Sequence, residues 1–328
     1  MELQTKVRIS PRKGLLTYES PILCLGSCFA EMIGNKLTEA KFITLQNPLG
    51  ILYNPLSLAN VMSMMLDSSQ YPEWSYAPHL ERWHSFELHS LMSHENKEEL
   101  QARADTILRE SRDFLKKAPL IILTFGTAVA YRHKEGGQIV GNCHKYPADT
   151  FQKELLDLTD MMATYHSLFQ RLQTEFPDIK IMLTVSPIRH VRDTLQLNSV
   201  SKALLRVLCN QLAEAYEWVS YFPSFEIMMD ELRDYRFYSS DMLHPSSVAE
   251  NWIWEKFLHA YLNDKDGELL KRWEKIRQQL NHKPRYPNTA TYKTFLEKLQ
   301  QSLLNISGEL DCEAELARIE ELLIRHSA

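Results

Sequence analysis

The fold class that this sequence predicts is α/β: a three-layer α/β/α sandwich on a mainly parallel central sheet of about five strands, with a C-terminal helical extension. Three observations carry that expectation. Strand-like and helix-like segments alternate from residue 22 to residue 262. Several strand-like segments are apolar throughout rather than alternating, as strands covered on both faces are. From residue 263 onward the chain turns charged and helical. With 328 residues, 44% of them hydrophobic and 24% charged, the chain is ample for such a core.

In order, ILCLG (22–26) reads as a buried strand ended by glycine, and CFAEMIGNKLTEA (28–40) as a helix. FITLQ (42–46) is a strand candidate, NPLGILYNP (47–55) a loop by its Asn, Pro and Gly content, and 56–66 a short helix. The stretch 67–93 is aromatic and irregular, with a strand expected around RWHSFELHS; 95–117 is a charged helix. PLIILTFG (119–126) is the clearest strand, and RHKEGGQIVGN (132–142) a hairpin turning at Gly136-Gly137. One long or broken helix is expected over 151–176, then a strand at 179–186, a helix at 198–217, a strand at 219–223 and a short helix at 224–234. A loop (235–246) and a helix (247–262) complete a domain of residues 1–262. The extension, 263–328, carries helical patterns around a Pro-containing break, and either covers the core or joins copies into a homo-oligomer.

Composition excludes some classes. A formal net charge of -5 gives no electrostatic reason to expect nucleic acid. The five cysteines, Cys24, Cys28, Cys143, Cys209 and Cys312, form no CxxC pair, so reduced thiols are expected. Of these, Cys24, Cys209 and Cys312 read as structural. No secretory h-region and no membrane-length apolar stretch are present, and a cytoplasmic location is the expectation. His84, His89 and His94 recur every five residues, which matches neither a helix face nor a strand face, so no metal site is expected. Trp74, Tyr76, Trp83 and Phe86 either line a pocket or form core; core is the commoner use.

In parallel sheets, functional groups gather beyond the carboxyl ends of the strands. Gly26-Ser27-Cys28 lies at such an end, where a helix starts. Free N–H groups and the helix dipole there lower a thiol pKa and hold an oxyanion. The alternative is that Ser27 caps the helix while Cys28 packs as a small hydrophobe. The loop segment Ser240-Asp241-Met242-Leu243-His244-Pro245 offers an Asp able to fix the tautomer of a His three residues on, leaving that His as a general base. A capping Asp beside a solvated His is its plainer reading. Arg189 and His190 in SPIRH, and His144 and Lys145 in NCHK, either bind an anionic or hydroxyl-rich group or satisfy loop carbonyls.

Several ordered motifs, GSCFA (26–30), NPLGILYNP (47–55), FGTAVAY (125–131), NCHKYP (142–147), TVSPIRH (184–190) and NSVSKALL (198–205), resemble the GSCFA family over roughly residues 3 to 260. ILCLGSCFAEMIG and DMLHP also resemble the first and last blocks of the SGNH (GDSL-type) hydrolases. That resemblance implies a flavodoxin-like sheet, no cofactor, and a covalent acyl-enzyme mechanism. An ungapped alignment puts Cys28 on the nucleophile; a one-residue shift puts Ser27 there. Asp241 and His244 match the acid and base. Gly50 matches an oxyanion donor through its N–H. The Asn donor of the third block is replaced by Thr127-Ala128-Val129, with Asn142, then the Thr127 hydroxyl, as candidate substitutes. The function implied is hydrolysis or transfer of an acyl group, with a small-molecule or carbohydrate ester as substrate. A non-catalytic ligand-binding protein on the same scaffold, and a Cys–His hydrolase of amides or thioesters, remain alternatives.

Overall fold

The computed structural model describes residues 4–67, 76–192, 194–286 and 288–327; Trp74 lies outside them. Five parallel strands form the central sheet. β1 (Ile22–Gly26) is flanked by β2 (Thr44–Gln46) and, two hairpin strands later, by β5 (Leu120–Phe125). β9 (Lys180–Val185) and β10 (Val219–Tyr221) extend the other side, giving the order β10-β9-β5-β1-β2. Residues alternate between faces, and both faces are covered. Leu23, Leu25, Ile121, Leu123, Ile181 and Leu183 join one apolar cluster. It is filled from α2 (Pro55–Leu66), α3 (Lys97–Leu115), α4 (Leu158–Glu175) and α5 (Leu195–Ala215). Ile22, Cys24, Leu120, Ile122 and Met182 join the other, with α1 (Cys28–Glu39) and α7 (Ser247–Tyr261). Two apolar faces per strand are why these segments read as continuous hydrophobic runs. Between β10 and α7 lie a short helix α6 (Ser224–Glu226), a π-helical turn (Ile227–Glu231) and the loop that carries Asp241 and His244.

The C-terminal helices α8 (Asp264–Leu280), α9 (Ala290–Leu304) and α10 (Glu313–Ser327) belong to that second cluster through Leu269, Trp273, Leu299 and Ile319. Trp273 Nε1 donates to the Glu39 carbonyl at 2.7 Å, and Lys41 pairs with Glu315. These contacts cover α1, so covering the core is what this segment does within one chain.

Two expectations need correction. Residues 151–155 are not helical: β8 (Phe151–Leu155) pairs antiparallel with β6 (Val129–His133), which also pairs with β7 (Ile139–Val140). Cross-strand pairing, reinforced by Arg132 on Glu154 at 2.7 Å, overrides the helix propensity of Gln-Lys-Glu-Leu. Asp157 then starts α4 by accepting from Thr159 N at 2.7 Å. The aromatic stretch holds two strands, β3 (Tyr76–His79) and β4 (Arg82–Ser85), rather than one. Phe86 is buried with Val140 and Phe151, so it is core of this accessory layer, and Tyr76 and Trp83 are half-buried against the main core.

Gly26 ends β1 at a φ of +137°, and a Cβ there would run into the Thr124 backbone carbonyl. Backbone cannot yield as a flexible side chain can. Gly26→Ala is expected to cost about 3 kcal/mol or more of stability in urea unfolding, and a loss under about 1 kcal/mol would show that β1 and β5 can part without consequence.

Candidate functional site

At the carboxyl edge of the sheet, β1 hands directly over to α1. Ser27 is the N-cap: its hydroxyl accepts from Phe29 N at 3.3 Å, its own N–H donates to the Thr124 carbonyl, and it is 1% exposed. Cys28 is the first helical residue, so its N–H has no intrahelical acceptor. Its thiol is half-exposed. Of the adjacent pair, the serine is therefore enclosed and engaged, whereas the thiol is only partly buried.

The NPLGILYNP segment straps this edge. The Asn47 side chain accepts from Gly26 N at 2.8 Å, and Leu52 N donates to the Gly26 carbonyl. The Tyr53 carbonyl accepts from both Gly126 N and Thr127 N, beyond β5. Asn54 caps α2 through Ser57 N. Tyr53 thus has its backbone fixed between two strand ends, and its hydroxyl reaches the Cys28 thiol at 3.4 Å. Burial, then the hydrogen bond and charge of Cys28, push the Tyr53 pKa well up, so it stays a protonated donor.

Gly50 sits at a φ of +90° with its face against His89. Its N–H donates to the Asn47 carbonyl at 2.7 Å, so the amide expected to face an oxyanion is engaged within the turn. Thr127 Oγ1 is likewise tied, to Ser201 at 3.0 Å and to Val129 N. Asn142 Oδ1 accepts from His144 N, and His144 Nε2 meets the Ser85 carbonyl at 2.7 Å while its ring lies on His84. These two residues belong to the accessory layer. Burial pushes the His144 pKa down to about 4, leaving it neutral. The Lys145 carbonyl meets the His79 ring at 3.2 Å.

Across the edge, the loop after β10 carries Asp241, which is exposed to solvent. Asp241 Oδ1 accepts from Leu243 N at 2.9 Å and His244 N at 3.0 Å, while Oδ2 holds His244 Nδ1 at 2.6 Å. The three-residue spacing permits all three bonds at once. The two backbone donors, then the imidazole, hold the Asp241 pKa down at about 2. The carboxylate is acceptor-only, so in the neutral imidazole Nδ1 carries the proton and Nε2 is left with a free lone pair. Met242, at a φ of +59°, makes the tight turn between them. Arg189 docks this loop: its N–H donates to the Leu243 carbonyl at 3.3 Å and its guanidinium donates to Tyr238 at 2.8 Å. It also lines a cavity of about 320 Å³ with Met228, Arg233 and Tyr235.

His190 connects the two halves of the edge. Its ring meets Tyr53 edge-on at 5.6 Å. Burial, then the Lys202 and His244 charges, push its pKa down to about 4. Below it, Lys202 is 2% exposed and donates to the Gly126 carbonyl at 2.6 Å and the Ser186 carbonyl at 2.7 Å, bridging the ends of β5 and β9. The structure therefore gathers Ser27, Cys28, Thr127, Arg189, His190, Asp241 and His244 on one edge, sets Gly50 in the adjoining turn, and leaves Asn142 and His144 in the accessory layer. It adds Tyr53 and Lys202, which the sequence reading did not single out. Among the described residues no group of three or more His, Cys, Asp or Glu side chains could hold a metal ion, and no helix is long and apolar enough to cross a membrane.

The sequence model of the GSCFA family matches residues 21–257, and that of the GSCFA domain protein C-terminal domain matches residues 273–325. No curated protein matches. A solved structure described as a candidate platelet activating factor from Streptococcus pneumonia is similar at 16% identity and a TM-score of 0.28, covering 43% of this chain and 60% of that one. The chain thus spans under two-thirds of that protein's length, and at this score the likeness carries no argument.

Proposed function

The chain belongs to the GSCFA family, and from that premise and the geometry of the strand edge we propose that it is an acyl-ester hydrolase or acyltransferase working through a thioester on Cys28. The observation that carries the reading is the Asp241–His244 pair. An ionised carboxylate locked by two backbone N–H groups fixes one imidazole tautomer at 2.6 Å, on a loop docked to the strand edge that also presents the Cys28 thiol. A fixed tautomer is what a general base needs and what a merely solvated histidine lacks.

The proposed course is as follows. His244 Nε2 takes the thiol proton as Cys28 Sγ attacks the acyl carbon, and the carbonyl electron pair moves to oxygen. The Cys28 N–H, at the positive end of α1, faces that oxyanion. Collapse expels the alcohol, which takes the proton back from His244. Water, or a second hydroxyl for transfer, then attacks the thioester with His244 as base again. Asp241 stabilises the imidazolium each time. A carbohydrate hydroxyl is the alcohol that the resemblance implies.

The test is acyl-enzyme trapping. The protein is mixed with p-nitrophenyl acetate, quenched in acid and digested, and the peptide carrying Ser27 and Cys28 is sequenced by mass spectrometry. Acetyl on Cys28, absent in His244→Ala, is expected. Release of p-nitrophenol no faster than buffer, with no acetyl on that peptide after acetyl, butyryl and acetylated-sugar donors, sinks the reading.

A further inference from the structure

The third-block Asn donor is missing from this chain, and its two expected substitutes are held elsewhere: the Thr127 hydroxyl is tied to Ser201 and Val129 N, and Asn142 stands in the accessory layer with its Oδ1 accepting from His144 N. One hydroxyl does face the nucleophile. Tyr53 Oη lies 3.4 Å from Cys28 Sγ. Its backbone carbonyl is pinned by Gly126 and Thr127, and its ring meets His190 edge-on at 5.6 Å, so a fixed backbone and a ring neighbour set the direction from which the hydroxyl reaches the thiol. We propose that Tyr53 is a catalytic residue, donating its hydroxyl hydrogen to the negative charge that forms at Cys28: first the thiolate, then the carbonyl oxygen of the acyl group under attack. This deepens the hydrolase reading and rests on it for the second role.

The geometry suits both stages. In the resting pair either atom can donate; once the thiol has lost its proton to His244, only Tyr53 can. When Sγ bonds the acyl carbon, the carbonyl oxygen stands one bond beyond that carbon and comes within reach of the same hydroxyl, opposite the Cys28 N–H. The tyrosine keeps its proton throughout, because burial and the neighbouring thiolate both oppose a phenolate. It also explains why a tyrosine ends the apolar Gly-Ile-Leu stretch of the strap, where any large apolar residue would serve packing alone.

Tyr53→Phe removes only the oxygen; the ring, the edge contact to His190 and the backbone carbonyl remain. The first readout needs no substrate: the rate of iodoacetamide alkylation at Cys28 against pH, followed on its own peptide so that half-exposed Cys143 does not interfere. In Tyr53→Phe the inflection is expected to move up by about half to one pH unit, with alkylation at pH 7 about three- to tenfold slower. The second readout is turnover of p-nitrophenyl acetate, where kcat is expected to fall about 10²-fold with KM within about threefold. Superimposable alkylation profiles overturn the proposal whatever the turnover. A wild-type protein that alkylates at Cys28 yet hydrolyses no ester defeats the hydrolase reading instead, and the alkylation profile still decides on Tyr53.

Discussion

Cys28→Ala is expected to bring kcat/KM on p-nitrophenyl esters down to the solvent background, a loss of roughly 10³-fold or more, while Ser27→Ala stays within a few-fold of wild type. The difference follows from where each side chain sits. Ser27 is 1% exposed and its oxygen is committed to Phe29 N, so it can neither meet a carbonyl nor give its place to one without unwinding the first turn of α1. Cys28 is half-exposed, next in the helix, and faces Tyr53. The two variants should also differ in stability in the opposite sense. Losing the N-cap oxygen costs about 1 kcal/mol in urea unfolding, whereas trimming a half-exposed thiol costs less. Steady-state hydrolysis and urea unfolding of both variants check this together. An inactive Ser27→Ala beside an active Cys28→Ala would hand the nucleophile to the serine and make the cap a secondary role.

The parallel sheet was legible because strands such as β5 bury six consecutive residues on two covered faces and alternate with helical segments along the chain. The strand at 151–155 was not. Phe-Gln-Lys-Glu-Leu has good helix formers, and what makes it extended is a partner strand more than twenty residues earlier, which no local pattern reports. The site divides the same way. The hydrogen bonds between Asp241 and His244 were legible because they run within one four-residue turn, and the helix-start position of Cys28 because strand, glycine and helix abut in sequence. That Ser27 is enclosed while Cys28 is only partly buried is a matter of packing, which two adjacent residues do not show in sequence.

Gly50, Thr127 and Asn142 show the limit most clearly. As residue types each can donate to an oxyanion, but the hydrogen bonds they make depend on Asn47, Ser201 and His144. Tyr53 leaves no signal in the sequence, because a tyrosine in an apolar loop fits packing equally well. Lys202 did leave a signal: it falls on the buried stripe of α5 formed by Leu205, Cys209 and Leu212, where a lysine has no packing reason to be.

That lysine carries the second large prediction, a pH-dependent stability. Burial pushes the Lys202 pKa down from 10.5 to about 7, while its two carbonyl acceptors favour the charged form. Between those two values the unfolded chain keeps a proton that the folded chain releases, so stability attributable to this residue rises with pH across that window. Below about pH 7 both states hold the proton, and the folded state bears the full cost of a buried ammonium. Lys202→Met has no such group. The difference in unfolding free energy, wild type minus Lys202→Met, is therefore expected to climb from pH 7 to pH 10 by roughly 4 kcal/mol in total, read by urea unfolding at one-unit steps. Isolated Gly126 and Ser186 carbonyls in the variant add an offset independent of pH, so only the slope is diagnostic. A flat difference would mean that the two carbonyls hold the ammonium charged throughout. In that event the positive charge beside His190 is permanent, and the strand edge keeps a fixed cation beneath it. A rising difference means instead that the charge leaves as pH rises through 7, and with it one of the two cationic neighbours that hold the His190 pKa down.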